Sequence, residues 1–167
     1  MAAPSAHDPD QALLARIAEI WNARAEGLIS HMNLKIEEPR RDSVRIRMPF
    51  NPDFTADEEQ TLIHGGILTA LLDSAFGLAN FLAVENVETM ATLDLRVEYL
   101  RPAAARADVM VEAECYHQTR HVVFNSGRVW LDIPGRPEVA RALAAFLVTR
   151  GEGMSFLEKL ATGGPGA

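Results

Sequence analysis

Leu13, Ile17, Ile20 and Trp21 recur every three or four residues, the period of a helix that buries one face. In front of them, Asp8-Pro9-Asp10-Gln11 supplies an N-cap, a proline suited to the first helical position and a glutamine able to close a capping box. Gly27 predicts the end of that helix. From Met32 the period shortens to two. Leu34 and Ile36 alternate with charged residues, Pro39-Arg40-Arg41-Asp42 makes a turn, and Val44, Ile46 and Met48 alternate with Arg45 and Arg47, which predicts a hairpin. Asn51 to Gln60, rich in Asn, Pro, Asp and Glu, predicts a loop leading into a long helix from roughly His64 to Ala83.

Beyond that helix the alternation returns. Leu93, Leu95, Val97 and Tyr99 alternate with Thr92, Asp94, Arg96 and Glu98, and Val109, Val111, Ala113 and Cys115 follow the same rule. Val122 to Ile133 and Val139 to Thr149, joined by Pro134-Gly135, predict two more strands, and a short helix around Phe156 to Leu160 follows. Strands interrupted once by a long apolar helix point to an α+β architecture in which an antiparallel sheet covers that helix. On the helix, Ile67, Leu71, Leu78 and Leu82 form one apolar row, and Leu68, Leu72, Ala75 and Ala79 its neighbour. Gly66, Ala70, Asp73, Gly77 and Asn80 share a third strip of small and polar residues, which predicts an opening beside Asp73.

The chain of 167 residues suits one domain, from 9 to 161, between a flexible start (1–8) and a flexible Gly-rich tail (162–167). The formal net charge of -7 argues against nucleic acid as a partner, although 14 of the 16 cations are Arg, the better ligand for phosphate and carboxylate. The single cysteine, Cys115, cannot form an intrachain disulfide and no signal-like start is present, so a cytoplasmic protein is expected. Leu62 to Val84 is the only stretch apolar enough to suggest a membrane span, and Asp73 near its centre favours a buried helix instead.

The stretch HGGILTALLDSAFGLA, with TLDLRVEYLRPA about twenty residues later, resembles the hotdog-fold acyl-CoA thioesterases of the phenylacetate-pathway type, over about Met32 to Arg150. The resemblance implies an antiparallel sheet wrapped around a long central helix and hydrolysis of an aryl- or fatty-acyl-CoA. It implies that the Gly65 N–H polarises the thioester carbonyl, that Asp73 is general base or nucleophile, and that Thr92 helps hold the attacking water. His64 orients the loop, contacts the thioester or simply caps the helix. Relatives often carry an amide six residues before the motif histidine, where this chain has Glu58; Gln60 is preferred for that role because an amide orients water without opposing an ionised base. Coenzyme A enters as part of the substrate, with Arg101 and Arg120 as candidates for its phosphates. No metal or other cofactor is required, and the paired subunits of the family imply a homodimer, with a tetramer of two dimers common.

Physical chemistry makes sense of these residue types. A helix start presents unpaired N–H groups and partial positive charge to a developing oxyanion, and glycines let a substrate approach closely. Nine residues of helix rise about 13.5 Å and turn about 180°, which sets Gly65 and Asp73 of one chain far apart on nearly opposite sides. If both roles hold, the site lies across a homodimer interface. Phe76 and Phe81 are expected among the pocket walls, Cys115 as a buried structural thiol, and the remaining histidines show no metal-ligand spacing. Two other classes compete: a non-catalytic acyl-CoA-binding module, which needs no base, and a hotdog dehydratase or hydratase, of which one branch carries a His-Phe-Pro-Gly signature that this chain lacks.

Overall fold

The computed structural model describes residues 9–24, 26–104 and 106–151. The Asp8 cap, the flexible ends expected at 1–8 and 162–167, and the helix expected around Phe156 to Leu160 lie outside them. The first periodic segment forms α1 (Pro9–Arg24), which buries Ile17 and Ala18 against the rest of the core. It ends before Gly27. That glycine, at φ 60°, instead opens a second helix of five residues, α2 (Gly27–His31). The hairpin follows as β1 (Lys35–Pro39) and β2 (Ser43–Met48), then the long helix α3 (Gly65–Ala83) and four strands: β3 (Val87–Tyr99), β4 (Val109–Gln118), β5 (Val122–Leu131) and β6 (Glu138–Arg150).

The six strands form one antiparallel sheet in the order β1-β2-β4-β5-β6-β3, and α3 packs against β2, β3, β4, β5 and β6. This is the sheet wrapped around a central helix that the sequence predicts. Alternation puts Val44, Ile46 and Met48 of β2 and Val109, Val111 and Ala113 of β4 into one core with Leu68, Leu71, Leu72, Leu78 and Leu82 of α3. Among the described residues α3 is the one helix long and apolar enough to cross a membrane; here the sheet covers much of it.

Phe76 is not a pocket wall. It is fully buried, and it lies where a Cβ on Gly127 of β5 would approach its ring to 2.8 Å and the Glu112 carbonyl oxygen to 3.0 Å. Gly127→Ala should therefore lower stability by about 1–3 kcal/mol through overpacking. The check is a urea midpoint that falls at unchanged slope; an unmoved midpoint would mean that Phe76 can retreat.

The two edges of the sheet are treated differently. On β1 the Asn22 side chain of α1 accepts from the Ile36 N–H at 2.9 Å and donates to the Ile36 carbonyl at 3.1 Å, so an amide occupies the place of a neighbouring strand. A register shift between Ile36 and Glu38 distorts that edge further. At the other edge, β3 runs for 13 residues and, among the described residues, pairs only with β6.

Strict alternation would put Thr92 on the face of β3 away from α3, beside Asp94. The register against β6 slips between Thr92 and Asp94, and the extra residue, Leu93, is 58% exposed rather than in the core. That bulge lets Met90 and Thr92 face α3 together with Leu95, Val97 and Tyr99.

Candidate active site

The site is built on the first turns of α3. His64 is the extended N-cap (φ -65°, ψ 132°), and its Nδ1 accepts the Gly66 N–H at 3.0 Å, which puts the ring proton on Nε2. The Ile67 N–H turns back to the His64 carbonyl at 2.9 Å. Among the described residues, nothing accepts the Gly65 N–H. Of the roles open to His64, the structure realises the cap.

Both glycines stand close to other side chains of the same chain. A Cβ on Gly65 would stand 3.3 Å from the Tyr99 ring, and one on Gly66 would stand 3.0 Å from His64 Nδ1. The space that the sequence assigned to an approaching substrate is thus taken up in part by this chain's own side chains. Tyr99 donates to the Gly65 carbonyl at 2.9 Å and meets the Thr69 hydroxyl at 2.7 Å, and Thr69 reaches the same carbonyl at 3.2 Å.

The loop before α3 is held by Asp57. Its carboxylate accepts from the Thr61 hydroxyl at 2.7 Å and from the Thr61 and Leu62 N–H groups, which keep it below the ordinary carboxylate range, the hydroxyl contributing most. A depressed folded value means that the support is complete above the unfolded value and is lost as pH falls through the folded one. Below about pH 4 the Thr61 and Leu62 amides should exchange with solvent faster while core amides stay protected; equal acceleration of both would point to global unfolding. Gln60, at φ 54° and exposed, sits in this loop, as does the exposed Glu58.

Asp73 is half-buried on α3, and its Oδ1 accepts the Thr92 hydroxyl at 2.7 Å. Gly65 and Asp73 are eight positions apart, not nine, so they are about 12 Å apart along the axis and about 80° around it. The distance survives and the opposite-side placement does not: Gly65, Thr69 and Asp73 run along one side of α3, each in reach of β3. Next along the helix, Gly77 has nothing within 4 Å of where a Cβ would be. The strip closes on Asn80, fully buried, whose side-chain Oδ1 accepts from the Asn125 amide of β5 at 2.7 Å.

Arg101 and Arg120 are both exposed, but at opposite ends of the sheet. Arg101 follows the C-terminal end of β3, whereas Arg120 lies in the β4–β5 turn, its carbonyl bonded by Arg150, which pairs with Val87 at the other end of β3. Roughly 40 Å of strand separates those ends, so one chain cannot set both arginines on one coenzyme. Cys115 is half-buried, and burial, aided by the Asp42 carboxylate, pushes its thiol up. Among the described residues no cluster of three His, Cys, Asp or Glu is placed to hold a metal. A groove of about 500 Å³ lies on the outer sheet face, away from Asp73, and its charges are largely paired with one another, Arg45 with Glu38 and Glu112 and Arg128 with Glu112.

Sequence reading missed Tyr99 and Thr69 as site residues. Tyr99 counted only as one of the alternating apolar positions, and the signal for Thr69 was its place midway between Gly65 and Asp73 at helical spacing.

The sequence profile of the Thioesterase superfamily matches residues 60–137, the segment with both helix-start glycines, Asp73 and Thr92. A Halobacterium salinarum protein named as an esterase is 36% identical over 90 residues, which make up 52% of this chain and 58% of that protein. The chain thus spans little more than half of that curated relative. A crystal structure of a thioesterase family protein from Silicibacter pomeroyi superposes with a TM-score of 0.71 over 83% of this chain and 99% of the other at 20% identity, which speaks for the fold alone. A Pseudomonas aeruginosa protein of solved structure is 30% identical, with a TM-score of 0.65 over 81% of this chain and 98% of its own. The six-stranded antiparallel sheet around α3 is the hotdog arrangement, and over residues 60–137 the chain is similar to the Thioesterase superfamily.

Proposed function

We propose that this protein hydrolyses acyl-CoA thioesters, aryl or fatty, in the manner of the phenylacetate-pathway branch, at a site that two copies of the chain complete. The observation that carries the reading is the pairing of a half-buried carboxylate, Asp73, held by Thr92, with an unoccupied helix-start donor, the Gly65 N–H, on the same side of α3. A thioester carbonyl receiving that N–H gains stabilisation as its oxygen becomes an oxyanion. Asp73 then either takes a proton from water that attacks the carbonyl carbon and returns it to the sulfur as the C–S bond breaks, or attacks that carbon itself. The second route releases the thiolate of coenzyme A, which takes a proton from water, and leaves an anhydride that a second water opens to free acid and carboxylate. Thr92 keeps one carboxylate oxygen oriented, so the other is left to act, and Gln60 is the amide nearest in sequence to orient the water.

About 12 Å between donor and base is too long for one thioester, and the free edge of β3 supports a second copy as the remedy. Antiparallel pairing of two β3 strands about a two-fold axis near Leu95 would set the Thr92 end of one copy level with the Tyr99 end of the other. Since Asp73 is tied to Thr92 and Gly65 to Tyr99, that pairing brings each carboxylate to the other copy's donor. Exposed Leu93, Tyr99 and Leu100 on and beside this edge support its burial. The same pairing moves one copy's Arg101 toward the other's Arg120, so both could serve one coenzyme. A tetramer of two such dimers, a cytoplasmic setting and a reaction without metal or further cofactor complete the reading.

Free-thiol release from a panel of aryl- and aliphatic acyl-CoAs, alongside light scattering for mass, tests it. Turnover by a dimer or tetramer is expected. Tight binding of every thioester without release would identify a binding module instead.

A further inference from the structure

We infer that Tyr99 and Thr69 are positioning residues that set the direction of the Gly65 N–H, an inference that rests on the thioesterase reading above. The peptide unit between Gly65 and Gly66 is held at both poles by side chains. At its N–H, His64 Nδ1 accepts at 3.0 Å; at its carbonyl, Tyr99 donates at 2.9 Å and Thr69 stands at 3.2 Å. Such a clamp matters most at this position, because two successive glycines without side chains have the widest backbone freedom of any pair. Fixing the plane that follows Gly65 limits the rotation of Gly65 itself, and with it the aim of the preceding N–H, the one donor of this turn left for a substrate. Donors aimed in advance stabilise an oxyanion without reorganising during the reaction.

The proton inventory explains why two hydroxyls are present. Tyr99, Thr69 and the Gly65 carbonyl make three contacts with two hydroxyl protons. Either Tyr99 donates to the carbonyl and Thr69 to Tyr99, or Thr69 donates to the carbonyl and Tyr99 to Thr69. In both arrangements the carbonyl receives one side-chain hydrogen bond beside the backbone bond it accepts as part of α3, so each hydroxyl can replace the other. The Tyr99 ring adds a steric stop, since it lies where a Gly65 Cβ would be, at 3.3 Å.

Redundancy of this kind has a signature. Tyr99→Phe keeps the ring and Thr69→Val keeps the shape, and each alone should lower kcat by about threefold to tenfold, the size of one modest hydrogen bond. Together they should lower it about a hundredfold or more, beyond the product of the single losses, with KM little changed. Tyr99→Phe combined with Thr69→Ser returns a donor and should recover most of that loss. The second readout does not depend on activity: the backbone amide resonance of Gly65 should shift and exchange faster in the double variant and stay near its native state in each single one. A double variant with an unmoved Gly65 amide, losses that simply multiply, or a loss confined to KM would overturn the inference. A wild-type chain without turnover would instead remove the thioesterase reading, and the amide measurement would still report whether the clamp exists.

Discussion

Asp73→Asn should leave a folded protein that releases thiol at least about a hundredfold more slowly than wild type, and up to about ten-thousandfold if Asp73 is a general base. The fold should survive because an asparagine oxygen can still accept the Thr92 hydroxyl now bonded to Oδ1 at 2.7 Å. What disappears is the second oxygen's basicity and nucleophilicity. Matching circular dichroism and melting curves would establish the fold, and substrate binding should remain. Turnover within threefold of wild type would remove Asp73 from the chemistry. The two routes can then be separated by a single turnover in heavy-oxygen water. General-base attack puts the heavy oxygen into the acid at once, whereas an anhydride opened by water at the Asp73 carbonyl first releases acid carrying the protein's own oxygen.

The second large effect concerns where the site is assembled. Gly65→Pro removes the free N–H while respecting the local backbone: proline is favoured at the first helical position, and the preceding residue, His64, is already extended at φ -65° and ψ 132°. Its new ring must shift Tyr99 by a few tenths of an ångström, since a Cβ at Gly65 already lies 3.3 Å from the tyrosine ring. Alone, this variant should lose about a hundredfold to a thousandfold in kcat, as expected for one oxyanion donor. Co-expression with the Asp73→Asn chain should restore about a quarter of wild-type activity, because random pairing makes half of the dimers mixed and each mixed dimer has one intact site of two. Chains that each contained a whole site would show no such recovery. Mass measurements on the mixture would exclude a failure to pair as the cause of a negative result.

Much of the architecture is legible in the chain because hydrophobic period reports which face of an element is buried. Helix α3, the β1–β2 hairpin and the four later strands all stand where the pattern predicts them. The misses have local causes. Gly27 reads as a stop signal, yet its positive φ serves equally to start α2. Leu93 reads as core because a bulge shifts the period by one residue, and no single sequence marks the strand on which an extra residue will fall. Phe76 reads as a pocket wall because an aromatic residue on a helix does not reveal that a glycine fifty-one positions later makes room for it.

At the site the division is similar. From the sequence alone came the helix start with two glycines, the carboxylate in an apolar helix and the need to explain it: an isolated charge in a core is costly, and this cost is visible in composition and spacing. Only the tertiary structure decided which donors are free, because His64 closes on the Gly66 N–H and leaves that of Gly65 open. It also decided that Thr92 faces Asp73, through the bulge in β3, and that Tyr99 and Thr69 meet on the Gly65 carbonyl. Periodicity records the average side on which a residue lies, whereas a hydrogen bond depends on a few tenths of an ångström between groups far apart in the chain, and those distances exist only once the sheet has closed around the helix.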